Sequence, residues 1–364
     1  MYLESLSVIN YKNIRESNLA FSRKINCFLG DNGMGKTNFL DAIYYLSFCK
    51  SHSNSIDTQN ILHSEEFFML SGEYFRNDSP ESVYCGLKRK QKKQFRRNKK
   101  EYERLSDHIG LLPLVMVSPD DATLIDGGSD ERRKFIDGVI AQYNKTYLQY
   151  LLNYNNLLRQ RNMLLKNNAT TDTTVFEILE EQMDMLGQYI YGERKRFIDE
   201  FIPVFQHFYT LISGDCESVT LSYTSQYSGQ SSLADKLKVT RERDRLIGFT
   251  TSGIHKDELE MVLSEHPIKR VGSQGQNKTF LVSLKFAQFE FLKKIHGFTP
   301  IVLLDDIFDK LDSKRVSNIV SLVASDMFGQ IFITDTNREH LDRILSELNE
   351  EARIFKVTDG IAEQ

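Results

Sequence analysis

A glycine-rich stretch near the start of the chain, GDNGMGKT at positions 30–37, fits the pattern G-x-x-x-x-G-K-[ST] at every defined position. Backbone N–H groups of such a loop surround a phosphate, its lysine binds the β- and γ-phosphates, and its hydroxyl binds Mg²⁺. Lys36 and Thr37 take these two roles here. The predicted nucleotide-binding residues are Gly30, Asp31, Asn32, Gly33, Met34, Gly35, Lys36, Thr37 and Asn38.

Two adjacent carboxylates form a second candidate, in the segment IVLLDDIFDKLD at 301–312. Its apolar run predicts a buried parallel strand that ends at the two acids. In phosphate-loop ATPases an aspartate at such a strand end holds the water shell of Mg²⁺. We therefore expect Asp305 and Thr37 to hold the metal, and Lys36 and Asp306 to be catalytic. Asp306 would orient or deprotonate the attacking water. A solvated acidic turn after a buried strand is the alternative.

A second phosphate-seeking turn, SQGQ at 273–276, lies just before a helical pattern. A helix N-terminus directs backbone N–H groups at an anion. This turn cannot serve the phosphates of 30–37 if a helix already occupies that end of the site. It therefore indicates either a second nucleotide contact or a plain polar helix cap.

The segments around these residues predict an α/β protein interrupted by helices. The first strand has Tyr2, Leu6 and Val8 on one face and Leu3 and Ile9 on the other, and a strand over 24–29 precedes the glycine loop. A helical pattern follows from Lys36, and residues 129–213 are mainly helical, with Ser129 as a cap. Strands and helices alternate again at the end. One nucleotide-binding domain, 1–126 and 246–364, would thus be split by a helical insertion at 127–245.

Composition limits the class of protein. The 364 residues are 40% hydrophobic and 26% charged, as in an ordinary globular protein. The four cysteines include no C-x-x-C pair, which argues against a zinc site or a disulfide framework. The N-terminus is unlike a signal peptide and no apolar run could span a membrane. We expect a cytoplasmic protein without a membrane partner.

A basic stretch, KRKQKKQFRRNKK at 88–100, stands out against a net charge of −4. Its flanks predict a β-hairpin with the charges around the turn. A solvated charged face is one interpretation, and contact with the phosphate backbone of nucleic acid is the other. The candidate DNA-binding residues are Lys88, Arg89, Lys90, Lys92, Lys93, Arg96, Arg97, Lys99 and Lys100.

Several segments together resemble a known family. SQGQ is similar to the S-G-G-Q signature of ATP-binding-cassette (ABC) ATPases. NYKNIRE, GDNGMGKTN, KSHSNS, VSPDD, GGSDERRKFID, YNNLLRQRNMLLK, GIHKDEL, GSQGQNKT and LLDDIFDKLD resemble, nearly end to end, the RecF family of DNA-repair ATPases, which are related to the heads of SMC proteins. Ser53 departs from the family's arginine, and Ile254 and Lys256 from its G-P-H-R-D motif. ITDTN at 333–337 lacks the switch histidine of transporter ATPases.

The resemblance implies an ABC-type P-loop ATPase head with an inserted α-helical second lobe, using ATP and Mg²⁺. The signature Ser273, Gln274, Gly275 and Gln276 would cover the γ-phosphate held by a second subunit, so that ATP builds a homodimer around DNA and hydrolysis releases it. A weak, DNA-stimulated ATPase is implied. Arg132 and Arg133 become further DNA candidates.

The resemblance also implies partners and a role. The protein would bind duplex DNA, junctions of single-stranded with duplex DNA, and the proteins RecR and RecO. It would help to load a recombinase onto single-stranded DNA. Three alternatives stay open: a transporter ATPase subunit, a non-catalytic ATP-binding scaffold, and a long-armed SMC-like ATPase. The missing histidine argues against the transporter subunit, and the intact Lys36 and Asp305 argue against the non-catalytic scaffold. The absence of a long heptad arm argues against the long-armed SMC-like ATPase.

Overall fold

The computed structural model describes residues 1–364 apart from 168–172, 215–216, 229–231, 340–341 and 343–351. Two compact units are present. The first comprises Met1–Ala122, Phe208–Asp215 and Ser273–Gln364, and the second comprises Thr123–His207 and Cys216–Gly272. The second unit therefore extends further toward the C-terminus than the predicted insertion, because a strand at 219–224 pairs with one at 258–263 and ties this segment together.

The strands of the described residues are, in chain order, Tyr2–Tyr11 (β1), Ile14–Ala20 (β2), Ile25–Leu29 (β3), Phe67–Arg76 (β4), Ser79–Lys88 (β5), Gln94–Arg97 (β6), Lys100–Glu101 (β7), Leu114–Val117 (β8), Val219–Thr224 (β9), Glu258–Leu263 (β10), His266–Pro267 (β11), Ile301–Asp305 (β12), Ile331–Asp335 (β13), Ala352–Thr358 (β14) and Ile361–Glu363 (β15). The helices are Lys36–Phe48 (α1), Thr123–Asp126 (α2), Ser129–Ile140 (α3), Lys145–Asn167 (α4), Thr173–Ser213 (α5), Leu233–Ile247 (α6), Ile268–Val271 (α7), Gln274–His296 (α8) and Ser313–Ala324 (α9).

A mainly parallel sheet carries the nucleotide loop in the first unit. Its order is β15-β14-β3-β13-β12-β8, and only the β14–β15 pair is antiparallel. β12 and β13 are buried along their whole length, as expected for parallel strands covered on both faces. α1 packs on β3 through Phe39, whose ring stacks on Phe28 at 5.1 Å. β3, β12 and β13 thus end at the same edge of the sheet.

The other sheet of the first unit is antiparallel, in the order β2-β1-β4-β5-β6-β7. The pairing of β1 with β4 shifts register between Leu3 and Ser5. Such a bulge adds one residue to the strand and turns the following side chains to the other face. Leu3 is therefore buried together with Leu6 and Val8, and the prediction that it faces the opposite side is wrong.

The second unit is built from helices with a small antiparallel sheet, β11-β10-β9. The long helices bury charged side chains as well as apolar ones. Arg161 on α4 is fully buried and pairs with Glu180 of α5 at 2.9 Å and with Asp244 of α6 at 2.8 Å. Arg241 adds a second guanidinium, 2.6 Å from Glu180. These ion pairs hold the three helices together.

Helix α3 begins differently from the prediction. Its N-cap is Gly128, with no side-chain cap, so Ser129 is the first helical residue rather than the capping one. Of the tyrosines and leucines within 147–166, which the sequence predicts to be core, Tyr147, Tyr154 and Leu165 are buried, whereas Tyr150 is half-buried and Leu152 is 44% exposed, so the prediction is wrong for part of the set. Among the described helices of the chain, none has the length and hydropathy that crossing a membrane requires.

Candidate nucleotide-binding site

The phosphate loop joins β3 to α1, as predicted, and its glycines are required for two different structural reasons. Gly33 and Gly35 have φ of +83° and +100°, a region that disfavours other residues. At Gly30 a Cβ would stand 2.4 Å from the carbonyl oxygen of Val357 on β14. Gly30 therefore allows the loop to leave the sheet close to the neighbouring strand.

Lys36, at the start of α1, is folded back onto this loop. Its Nζ donates to the carbonyl oxygens of Gly30 at 2.8 Å and Asp31 at 3.0 Å, and only 7% of the residue is exposed. The ammonium group is thus held against the loop backbone by two neutral acceptors. Phosphate oxygens are stronger acceptors for a cation and can replace them.

Thr37 and Asp305 meet at the edge of the parallel sheet. Thr37 Oγ1 lies 2.9 Å from Oδ1 and 3.0 Å from Oδ2 of Asp305, and Thr334 Oγ1 donates to the same Oδ1 at 2.6 Å. Burial raises the pKa of Asp305, while the two threonine hydroxyls lower it. The structure therefore brings together the hydroxyl and the carboxylate that the sequence assigned to the metal.

The donor set of this pair fits Mg²⁺. Adjacent ligands of an octahedral Mg²⁺ with bonds of about 2.1 Å are about 3.0 Å apart, which is the spacing of these oxygens. No cluster of three or more histidine, cysteine or acidic ligands exists among the described residues. Mg²⁺ commonly binds through one or two protein oxygens, waters and substrate phosphates. Thr37 and Asp305 are the residues that would hold it.

Asp306 follows β12 in a left-handed conformation, with φ of +53°. Its N–H donates to Thr334 Oγ1 at 3.2 Å, which fixes this turn of the backbone. Burial raises the pKa of the Asp306 carboxyl, and the nearby charge of Asp335 raises it further. A carboxylate with a raised pKa is a stronger base, as proton abstraction from water requires.

Asp335 was not singled out from the sequence. It ends β13, beside Leu29 of β3, and is 4% exposed. The signal in the sequence was the similarity between ITD at the end of β13 and LLD at the end of β12.

Lys278 on α8 was missed as well. Its Nζ donates to the carbonyl oxygen of Asp306 at 3.2 Å, and burial lowers its pKa.

The predicted signature turn begins helix α8. Ser273 is the N-cap, and a capping box is complete: Gln276 N–H donates to Ser273 Oγ at 3.3 Å, and Ser273 N–H donates to Gln276 Oε1 at 2.8 Å. The N–H groups of Gln274 and Gly275 have no acceptor within the helix, because they lie in its first turn. The turn is a helix cap that also offers donors to an anion.

The basic stretch forms a hairpin, as predicted, but its charges are divided between two turns. β5 pairs with β6, and β6 pairs with β7, so residues 89–93 and 98–99 turn at opposite ends of β6. At about 3.3 Å per residue, the four residues of β6 separate the two turns by about 13 Å. The exposed cations are Lys88, Lys90, Lys92, Lys99 and Lys100.

The remaining cations of the hairpin have partners within the chain. Lys93 Nζ lies 2.7 Å from Asp57 and 2.7 Å from the carbonyl oxygen of Cys49. Arg97 pairs with Glu81 at 2.5 Å. Arg89 donates to the carbonyl oxygen of Glu65 at 3.2 Å, and Arg96 lies over the ring of Tyr84. Phe95 is buried. Composition alone could not identify these partners.

Arg132 and Arg133, the other DNA candidates, are engaged inside the second unit. Arg132 pairs with Glu258 at 2.8 Å, and its Nη1 also donates to backbone carbonyls of 124 and 127. Arg133 Nη1 donates to the carbonyl oxygen of Asp257 at 2.6 Å. Both side chains therefore fasten α3 to the start of β10.

Ser53, which departs from the family pattern, and His255, which lies between the departures Ile254 and Lys256, both have local partners. Ser53 Oγ accepts from Lys12 Nζ at 2.8 Å, and the same ammonium pairs with Asp41 at 2.6 Å. In the second unit His255 contacts Tyr154 Oη and the carbonyl oxygen of Thr250, each at 3.1 Å. Burial lowers the pKa of His255 to about 4. His255 is thus a packed structural residue.

Comparison with known proteins first defines the class. Residues 2–363 match the family model described as the RecF/RecN/SMC N terminal domain. The crystal structure of an SMC head bound to the C-winged helix domain of ScpA shares the fold, with a TM-score of 0.60 and 14% identity over 100% of this chain and 96% of that one. The predicted fold, an ABC-type ATPase head of the SMC kind, is confirmed.

The relatives then define the family. A protein of Bacteroides thetaiotaomicron is 58% identical over 99% of this chain and 98% of its own length. One of Porphyromonas gingivalis is 49% identical over 99% of both chains. Both are named DNA replication and repair protein RecF. A solved structure of the recombination mediator protein RecF-ATP in the RecFOR pathway matches with a TM-score of 0.88 and 26% identity, over 100% of this chain and 97% of that one. The chain belongs to the RecF family of DNA replication and repair proteins.

Proposed function

We propose that this protein is an ATP-switched DNA clamp of recombinational repair and replication-gap processing. One observation carries the proposal. A single chain presents two phosphate-binding turns: the loop at Gly30–Thr37 beside Asp305, and the capped turn at Ser273. Two copies arranged head to tail would pair each loop with the other copy's turn, so that two ATP molecules lie in the interface.

Within each site the residues have separate tasks. Lys36 exchanges the carbonyl oxygens of Gly30 and Asp31 for phosphate oxygens of ATP. Thr37 and Asp305 would hold Mg²⁺, which would supply positive charge to the phosphates. Asp306 accepts a proton from the water that attacks the γ-phosphate. We expect slow turnover that DNA stimulates, because the site is complete only in the closed dimer.

The γ-phosphate is the switch. Ser273 Oγ and the N–H groups that follow it would contact a group that ATP has and ADP lacks. A ligand shifts an association equilibrium only by the contacts that differ between the two states. ATP would therefore hold the dimer together, and ADP would not. Hydrolysis would open the clamp and release DNA.

The exposed lysines of the two hairpin turns would contact DNA. Lys90 and Lys92 lie at one end of β6, and Lys99 and Lys100 lie at the other, which suits phosphates along a backbone. Such contacts bind DNA without reading its bases. We propose duplex DNA and single-strand/duplex junctions as targets. RecR and RecO are the proposed partners in loading a recombinase, since a similar structure is described within the RecFOR pathway.

The test measures the molecular mass of the protein in solution by light scattering, with ATP and Mg²⁺, with ADP, and without nucleotide. We expect a dimer with ATP alone. Ser273→Arg should abolish it while nucleotide still binds. Ser232→Arg is the matched control, because Ser232 also caps a helix, α6, by accepting from Asp235 N–H at 3.1 Å. Each variant loses a cap worth about 0.5–2 kcal/mol. A wild-type protein that stays monomeric with ATP, even with DNA, would refute the clamp.

A further inference from the structure

The first turn of α9 contains two cations, Lys314 and Arg315, and no acid. Cations at a helix N-terminus face the positive end of the helix dipole and weaken the helix. Asp312 compensates in part, since its Oδ1 accepts from Arg315 N–H at 2.9 Å and caps the helix. The helix dipole therefore gives no reason for an arginine in this place.

Arg315 lies directly against the signature turn. A Cβ on Gly275 would stand 2.9 Å from Nη1 of Arg315, so the guanidinium fills the space beside this glycine. The arginine side chain is 17% exposed, and its Nε lies 3.5 Å from Oδ2 of Asp312. A guanidinium has five N–H donors in a fixed plane, so it can serve several acceptors at once.

The same turn supplies other donors for that anion. Ser273 contributes a hydroxyl, and Gln274 and Gly275 contribute N–H groups of the first turn of α8. We propose that Arg315 is a phosphate-binding residue that acts with this signature turn. It contacts the terminal phosphate of the nucleoside triphosphate held in the phosphate loop of a second copy of the chain. This inference rests on the proposed function, because the contact exists only in the head-to-tail dimer.

The first test separates nucleotide binding from dimerisation. Arg315→Ala should bind a fluorescent ATP analogue as tightly as the wild type at protein concentrations where the wild type is monomeric. Its ATP-dependent dimerisation should weaken by about tenfold or more, since a charge-assisted phosphate contact is lost. The ATP-dependent dimerisation of Arg315→Lys should be intermediate between those of the wild type and Arg315→Ala, because an ammonium keeps the charge without the planar fork. Lys314→Ala, from the same helical turn, should dimerise like the wild type.

The second test asks whether Arg315 acts in trans. Arg315→Ala and Lys36→Ala, each with little ATPase activity alone, are mixed. A mixed dimer has one intact site, made by the phosphate loop of the first variant and the arginine of the second. Random pairing makes half of the dimers mixed, so about a quarter of wild-type activity is expected to return. The mixture of Ser273→Arg with Lys36→Ala is the reference, since the proposed function requires it to regain activity.

The outcomes are distinct. Recovery in both mixtures supports the trans role of Arg315. Recovery in the Ser273 mixture alone, or normal dimerisation of Arg315→Ala, overturns the inference and leaves the proposed function in place. Recovery in neither mixture overturns the head-to-tail arrangement and the role of Arg315 with it.

Discussion

Alanine at Gly35 and alanine at Gly33 should differ in their effects on stability, although both glycines belong to the phosphate loop and both have positive φ. A Cβ at Gly33 meets nothing within 4 Å. A Cβ at Gly35 would stand 2.5 Å from both Oδ1 and Nδ2 of Asn13. The Asn13 side chain would have to move, and it is held by Asn38, which donates at 2.7 Å, and by Met34, whose carbonyl oxygen accepts at 3.3 Å.

The magnitudes follow from these contacts. A left-handed conformation costs an alanine about 1–2 kcal/mol. Gly33→Ala should lose that amount of the free energy of unfolding and no more. Gly35→Ala also sacrifices the two hydrogen bonds of Asn13, each worth about 0.5–1.5 kcal/mol, so its total loss should be about 2–5 kcal/mol. In an Asn13→Ala background the obstacle is gone, and Gly35→Ala should cost only about 1–2 kcal/mol.

The assay is urea unfolding in the absence of nucleotide, followed by circular dichroism because the chain has no tryptophan. Leaving nucleotide out separates the geometry of the loop from its contacts with phosphate. If Gly35→Ala costs no more than Gly33→Ala, the steric argument fails. It fails also if the cost of Gly35→Ala is unchanged when Asn13 is alanine.

Three further predictions concern other parts of the chain. Glu180→Gln should cost about 3–5 kcal/mol in urea unfolding because two buried guanidinia lose their shared partner, whereas Glu242→Gln, from an exposed pair with Arg245, should cost about 0–1 kcal/mol. His255 has a pKa of about 4 when folded and about 6.5 when unfolded, so the unfolded chain takes up the proton first. Stability should therefore fall by about 3 kcal/mol as the pH drops from 6.5 to 4, and a His255→Gln variant should lack this fall in pH-dependent unfolding. The exposed hairpin lysines are Lys88, Lys90, Lys92, Lys99 and Lys100. Replacing them by glutamine should reduce the slope of log affinity for duplex DNA against log salt concentration by up to about 0.9 for each phosphate contact that is lost. The control Lys238→Gln, on α6, should leave this slope unchanged.

The nucleotide loop and the acid-tipped strand were predictable because their signals are local. A glycine pattern specifies the loop, and an apolar run specifies the buried strand that ends at Asp305. The pairing of Thr37 with Asp305 then follows, because parallel strands end at one edge of a sheet. Two local patterns and this general property of parallel sheets were enough for this part of the site.

Helix α6 was missed because its buried face is partly charged. Arg241 and Asp244 point inward and are neutralised by Glu180 and Arg161, which come from other helices. A sequence of this kind lacks the apolar repeat that predicts an amphipathic helix. The roles of Lys93 and Arg132 could not be predicted either, because their acidic partners are remote in the chain.

The order of strands in the nucleotide-binding sheet has a consequence for synthesis of the protein. β3 leads into the phosphate loop, yet both of its neighbours, β13 and β14, come from the end of the chain. Thr37 and Asp305 are 268 residues apart, so a ribosome that adds about 5–20 residues per second separates their emergence by about 13–54 s. A nascent or truncated chain has the loop but not the strands beside it. Only a chain translated almost to its end can bring β3 into its sheet, and so the pairing of Thr37 with Asp305 is completed last.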